Sequence, residues 1–186
     1  MYLAIESVLD AGATVIQLRE KDLPVRELLD MALWMRELTR EYGAKLIIND
    51  RVDVALSVGA DGVHLGKDSI PAYAVRKRWG DKLLIGVSTH SIEEALEAER
   101  DGADFITLGP IYETPSKLKY GRPLGTDIIR DVKSRISIPV FAIGGIKLDR
   151  IKEVTEAGAA GVAVISAILE AKNIKGTTEE FLRLLK

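Results

Sequence analysis

Four segments of this chain repeat one local pattern: "AGATVIQL" at 11–18, "VGADGVHL" at 58–65, "DGADFITL" at 101–108 and "AGAAGVAV" at 157–164. Each reads as a helix end, a glycine in the left-handed position that closes it, and an apolar strand that starts at once. Three more apolar strands lie between them: "KLIIND" (45–50), "LLIGVS" (83–88) and "PVFAIGG" (139–145). Helical spacing separates most of these strands. Leu28, Leu29, Ala32, Leu33, Met35 and Leu38 recur at threes and fours, as do Ile92, Ala95 and Leu96, with Glu93, Glu94 and Glu97 on the wet side. The piece at 53–58 has length for only a turn or two. Strands that are apolar throughout and alternate with helices require a parallel sheet covered on its outer face.

Seven such strands are legible, beginning near 14, 45, 61, 83, 104, 138 and 160. A doubly wound sheet usually places a glycine-rich nucleotide loop after its first strand, and no such loop occurs here. Polar and small residues end the strands instead: Arg19 and Lys21, Asn49 and Asp50, Gly66, Ser88, Gly109, Gly144 and Gly145, and Ser166. Functional groups at the carboxyl ends of many strands mark a (β/α)8 TIM barrel. The expected fold is therefore α/β, a single TIM-barrel domain over 1–186 whose first strand is missing or truncated. Upstream of Ala11 only "MYLAIESVLD" remains, which reads as the end of the first helix, with the strand absent or shrunk to Tyr2–Ala4. The reading favours a native chain that begins further upstream, by roughly twenty residues.

Composition narrows the function classes. A net charge of −2 without a basic block argues against a nucleic-acid surface. The chain has no cysteine, which excludes disulfides and thiolate zinc sites. No apolar run reaches the length of a membrane span and the first residues do not read as a signal peptide, so the expected location is the cytoplasm. Self-association is compatible with the sequence. One Gln and two Asn against 29% charged residues resemble the balance in proteins of hot habitats.

The segment "VIQLREK" (15–21) then raises a question of facing. Side chains alternate along a strand, so Val15, Gln17, Arg19 and Lys21 share one face while Ile16, Leu18 and Glu20 share the other. In a barrel the first set converges on the interior and the mouth. Lys117, on the loop after the sixth barrel strand, joins Arg19 and Lys21 there, and cations gathered at a mouth suit a phosphorylated small-molecule substrate.

Other strand ends carry two readings each. Gly144 and Gly145, with "VIS" at 164–166, stand where barrels commonly bind phosphate through backbone N–H groups, or the glycines simply relieve crowding. Asn49 and Asp50 suit a diphosphate oxygen and a Mg²⁺ ion, or the capping of the short helix from Val52. Asp68 offers a second metal oxygen, or is merely solvated. Thr114 and Ser116 belong to turn chemistry or to a lid, since 110–125 is long and broken by Pro110, Pro115 and Pro123. His64, inside a strand, reads as a satisfied barrel histidine rather than a metal ligand. No Ser–His–acid triad can be assembled, which disfavours hydrolysis by a nucleophile.

Taken together, "QLREK", "IINDRVDVALSVGADGVHLG", "IGVSTHS", "GADFITLGPIYETPSK", "FAIGGI" and "AGAAGVAVISAI" resemble the thiamine phosphate synthase family from about Val8 to the C-terminus. The resemblance implies that 4-amino-5-hydroxymethyl-2-methylpyrimidine diphosphate is joined to thiazole phosphate, with Mg²⁺ and release of diphosphate. By resemblance, Gln17, Arg19, Lys21, Asn49, Ser88 and Lys117 hold the pyrimidine diphosphate, and Arg19, Lys21 and Lys117 act catalytically. Asp50, and Asp68 by a one-residue shift, carry the metal. Thr114, Ser116, Gly145, Ile165 and Ser166 hold the thiazole phosphate. The chain departs from the family after "HLG", with Lys67 at a usual Gln and Ser69 at the usual metal-binding Asp. That departure keeps two alternatives in view, a metal-free thiazole tautomerase of the same fold and an idle phosphate-binding regulatory barrel. The intact "QLREK" and "NDR" side with the synthase.

Overall fold

The computed structural model describes residues 2–114 and 122–186. Seven parallel strands form one sheet in sequence order: β1 (Val15–Leu18), β2 (Lys45–Asn49), β3 (Gly62–Leu65), β4 (Leu84–Thr89), β5 (Phe105–Leu108), β6 (Val140–Ile143) and β7 (Gly161–Ala163). Every start falls within two residues of its expected position. Between them run α2 (Val25–Glu41), α3 (Val52–Val58), α4 (Ala72–Trp79), α5 (Ile92–Arg100), α6 (Asp127–Lys133) and α7 (Ile151–Glu156). Helix α1 (Tyr2–Asp10) precedes the sheet, while α8 (Ser166–Leu169) and α9 (Ile174–Leu184) follow it. The architecture is α/β, a curled parallel half-barrel of TIM type.

One expectation needs correction: residues 2–4 are helical, so Tyr2–Ala4 is not a stub strand. Among the described residues the sheet has seven strands with β1 and β7 as its edges, which agrees with the expectation that the first barrel strand is missing. The open edge shows in β1, where Val15 on the inner face stays 52% exposed while Ile16 and Leu18 are buried toward the helices.

The outward-facing residues of the strands build the main core. Leu46, Ile48, Val63, Leu65 and Ile85 pack with Leu28, Ala32 and Met35 of α2, and Ile106, Leu108, Val140 and Ala142 pack with Ile129, Val132, Ile151 and Val154. The helix periodicity holds in outline, but Leu33 and Leu96, read as core-facing, are exposed. The inner face is packed differently. Phe105 and Phe141 meet edge-to-face at 5.6 Å, and Gly86 and Gly161 provide the room, while Gly62 lets Leu84 and Ile47 close in. A Cβ at Gly86 would lie 2.3 Å from the Phe105 ring, and one at Gly161 would lie 2.9 Å from Phe141.

At the amino ends of the strands the repeats contain a device that the sequence reading missed. Asp61, just before β3, accepts hydrogen bonds from Arg36 Nη1 of α2 (2.6 Å) and from the Leu46 N–H of β2 (2.8 Å). Asp104, just before β5, accepts from Arg76 Nη2 of α4 (2.6 Å) and from the Ile85 N–H of β4 (2.7 Å). Arg36 also donates to the Ala44 carbonyl, and Arg76 to that of Gly102. Each aspartate thus ties one helix to two strands. The signal was present as the "GAD" shared by two of the four repeats, against "GAT" and "GAA" in the others.

Candidate active site

The sequence-predicted groups lie at the carboxyl ends of the strands, and several are brought together. Gln17 faces the inside of the half-barrel, and its Nε2 donates to Asn49 Oδ1 on the neighbouring strand at 3.3 Å. Arg19 and Lys21 follow directly after β1, both exposed, and neither makes a salt bridge among the described residues. Their charge is therefore not cancelled locally. Ser88 lies on the inner face of β4 beside His64 of β3. Ser116 and Lys117 lie outside the described residues, and Thr114, half-buried, closes the described stretch.

His64 is the most constrained polar group in this interior. Its Nε2 lies 2.9 Å from Ser88 Oγ and 3.3 Å from Thr107 Oγ1, which meets the expectation of a satisfied barrel histidine on one side of the ring. Nδ1 is buried without a hydrogen-bond partner among the described residues, directly over Gly86, so the other side is unsatisfied. Burial, and secondarily the positive charge of Arg19, lowers its pKa from 6.5 to about 4. His64 is neutral near pH 7.

The depressed value carries a stability consequence. Between pH 6.5 and 4 the unfolded chain takes up a proton at His64 that the folded chain refuses, so stability falls as pH drops through that window. The contribution to the slope is at most about 1.4 kcal/mol per pH unit. Urea unfolding of His64→Gln at several pH values is expected to show a flatter profile there. An unchanged slope would mean that His64 titrates normally in the folded protein.

Asp50 is the one non-glycine with positive φ (67°) among the described residues. Aspartate tolerates this left-handed region better than most residues, and the kink turns the chain from β2 into α3. The Asp50 N–H donates to the His64 carbonyl at 2.8 Å, which ties the kink to β3. Asp68 lies exposed in the next loop. Ser69, the departure from the family pattern, closes that loop on itself: its Oγ accepts from the Gly66 N–H at 2.8 Å, and its N–H donates to the Gly66 carbonyl at 3.1 Å.

At the opposite end of the sheet, Gly144 and Gly145 follow β6 with φ of 95° and 66°. A Cβ would not fit at either position. At Gly144 it would lie 2.6 Å from Pro110 Cβ, and at Gly145 it would lie 2.6 Å from the Glu113 carbonyl oxygen. The root of the loop after β5 is thus pressed onto the glycine pair. Ile165, exposed, and Ser166 stand at the start of α8, just past β7.

A half-barrel of parallel strands with cations, amides and a glycine turn gathered at its carboxyl ends has the architecture of a TIM-type enzyme. Comparison with known proteins makes the assignment specific. The thiamine monophosphate synthase family matches residues 2–168. Thiamine-phosphate synthase of Halalkalibacterium halodurans is 47% identical over 186 residues, covering 100% of this chain and 88% of that one. The Chloroflexus aurantiacus enzyme of the same name is 46% identical over 97% of this chain and 83% of its own length. The solved thiamine phosphate pyrophosphorylase of Pyrococcus furiosus superimposes with a TM-score of 0.91 at 41% identity, covering 98% of this chain and 88% of that one. A 3-hexulose-6-phosphate synthase from Salmonella typhimurium, at 18% identity and a TM-score of 0.76, shares the fold alone. The chain belongs to the thiamine monophosphate synthase family, and it is a transferase of thiamine biosynthesis.

Proposed function

We propose that the chain joins 4-amino-5-hydroxymethyl-2-methylpyrimidine diphosphate to thiazole phosphate and releases diphosphate. The observation that carries this reading is the gathering of Gln17, Asn49 and Ser88 at the carboxyl end of the half-barrel, with Arg19 following directly after β1. Gln17, Asn49 and Ser88 orient the pyrimidine diphosphate. Arg19, Lys21 and Lys117 counter the charge that grows on the departing diphosphate, while the aminopyrimidine ring stabilises the cation left behind. The thiazole nitrogen then attacks that carbon, with its phosphate held by Thr114, Ser116, Gly145, Ile165 and Ser166. Positioning and electrostatics carry such a substitution, and little proton transfer is needed.

The donor set fits Mg²⁺, which ordinarily takes one or two carboxylates with the remaining positions filled by substrate oxygens and water. Asp50 and Asp68 are the carboxylates that would hold it, while the Ser69 hydroxyl is engaged by the Gly66 N–H. When bound, the ion neutralises diphosphate charge. One further strand between β7 and β1 would close the sheet into a (β/α)8 barrel in a single cytoplasmic domain.

The decisive experiment is incubation with both substrates, with and without Mg²⁺, assayed for thiamine phosphate. Metal-dependent product is expected. Isomerisation of thiazole carboxylate phosphate without product would instead identify a tautomerase, and phosphate binding with neither reaction would identify a regulatory barrel.

A further inference from the structure

Three successive carbonyls at the end of β6 are each held by a donor. The Ile111 N–H donates to the Ile143 oxygen (2.9 Å), the Tyr112 N–H to the Gly144 oxygen (3.0 Å), and Arg150 Nη1 to the Gly145 oxygen (2.5 Å). In a trans peptide the carbonyl of one residue and the N–H of the next point in opposite directions. Fixing these oxygens therefore turns the N–H groups of Gly144, Gly145 and Ile146 the other way. None of these three N–H groups has a backbone acceptor among the described residues.

Two of the three carbonyls are held by backbone, but the third depends on one side chain, and that side chain is itself braced. The Arg150 guanidinium lies 4.3 Å from the centre of the Tyr112 ring. The Tyr112 hydroxyl donates to Glu153 Oε2 at 2.6 Å, and Thr126 Oγ1 donates to Glu153 Oε1 at 3.0 Å. Burial and the Glu153 carboxylate raise the Tyr112 pKa to about 12, so the hydroxyl keeps the proton it donates. The bracing residues come from the root of the loop after β5, from the start of α6 and from α7.

We propose that Arg150 is a positioning residue for the phosphate turn: by fixing the Gly145 carbonyl it presents the backbone N–H groups of the turn to a phosphate, and Tyr112 and Glu153 hold it in place. The proposal rests on the phosphate role given to Gly145 above. It assigns Arg150 no direct contact with substrate. Its effect belongs to the thiazole-phosphate end of the site, not to the end formed by Gln17, Asn49 and Ser88.

The test compares wild type with Arg150→Met, Arg150→Lys and Tyr112→Phe in two measurements. One is calorimetric titration with inorganic phosphate. The other is the separate KM for each substrate together with kcat. Arg150→Met is expected to weaken inorganic phosphate and raise the KM for thiazole phosphate about tenfold, as for loss of a hydrogen bond to a charged group. The KM for pyrimidine diphosphate should stay within about twofold, Arg150→Lys should recover part of the loss, and Tyr112→Phe should show a smaller loss in the same direction. A lowered Tm with both KM values and phosphate affinity unchanged would make Arg150 merely structural and overturn the proposal. So would an equal rise in both KM values. Should Arg150→Met fail to fold, Arg150→Lys and Tyr112→Phe decide by the same criteria. If wild type makes no thiamine phosphate, the functional reading fails on its own, and the phosphate titration still decides the role of Arg150. Wild type that does not bind phosphate at all would remove the proposal with its premise.

Discussion

Lys21→Ala is expected to lower turnover by about 10²–10³-fold, the usual loss when one preorganised electrostatic contact to developing charge is removed. Lys21 is exposed, just past β1, and forms no salt bridge among the described residues. Its removal therefore leaves no buried partner unpaired, and unfolding temperature should be close to wild type. That combination separates a chemical role from a structural one. Loss of rate together with loss of stability would show that Lys21 holds the loop after β1, and wild-type turnover would remove it from the diphosphate site. The loss should fall mainly on kcat, because charge on the leaving diphosphate is greatest in the transition state. A rise in KM with kcat preserved would place Lys21 in ground-state binding instead.

The strand ends were legible in the sequence because two periodicities meet there. Alternation placed Gln17 on the inner face of β1, and the hydrogen bond to Asn49 confirms that facing. The glycine that closes each helix announced the start of β3, β5 and β7 to within a residue. Interior packing was not legible in this way. Gly62 and Gly161 share one position of the repeat, yet nothing local says what fills the space: Leu84 and Ile47 crowd Gly62, while Phe105 lies against Gly86 and Phe141 against Gly161. His64 shows the same limit. A histidine in an apolar strand reads as satisfied, and only the packing of Nδ1 over Gly86 shows that half of the ring is not. Arg150 was hidden for a further reason: its partner is a backbone carbonyl, which no choice of side chain advertises. Helix α1 follows the local helical signal of "IESVLD", whereas a strand ahead of it is asked for by the fold class alone and by nothing in the residues.

The aspartate clamps supply the largest expected effect on stability. Asp61 Oδ2 receives both Arg36 Nη1 and the Leu46 N–H, and the Arg36 side chain is only 7% exposed. Asp61→Ala leaves that guanidinium buried without its carboxylate and leaves a strand N–H unpaired. Breaking a buried pair from one side costs about 3–5 kcal/mol, and partial exposure of Asp61 brings the expectation to roughly 2–4 kcal/mol. For a chain of this size that lowers Tm by roughly 5–15 °C. Asp61→Asn should cost less, since an amide oxygen still accepts from Leu46. Catalysis at temperatures where the variant is folded should be nearly unchanged, because the clamp sits at the amino ends of the strands and the site at the carboxyl ends. The acid response has its own sign. Burial opposes ionisation of Asp61, but the Leu46 N–H and Arg36 together outweigh it and hold the carboxyl below its ordinary pKa. Its contribution is therefore complete above the unfolded aspartate value near 3.9 and is lost only as pH falls through the lower folded value. His64 acts earlier, between pH 6.5 and 4, so the two groups separate in a pH series of unfolding. Asp61→Ala should erase the lower step and leave the upper one. A variant as stable as wild type at pH 7 would show that the clamp is dispensable and that helix packing alone holds α2 to the sheet.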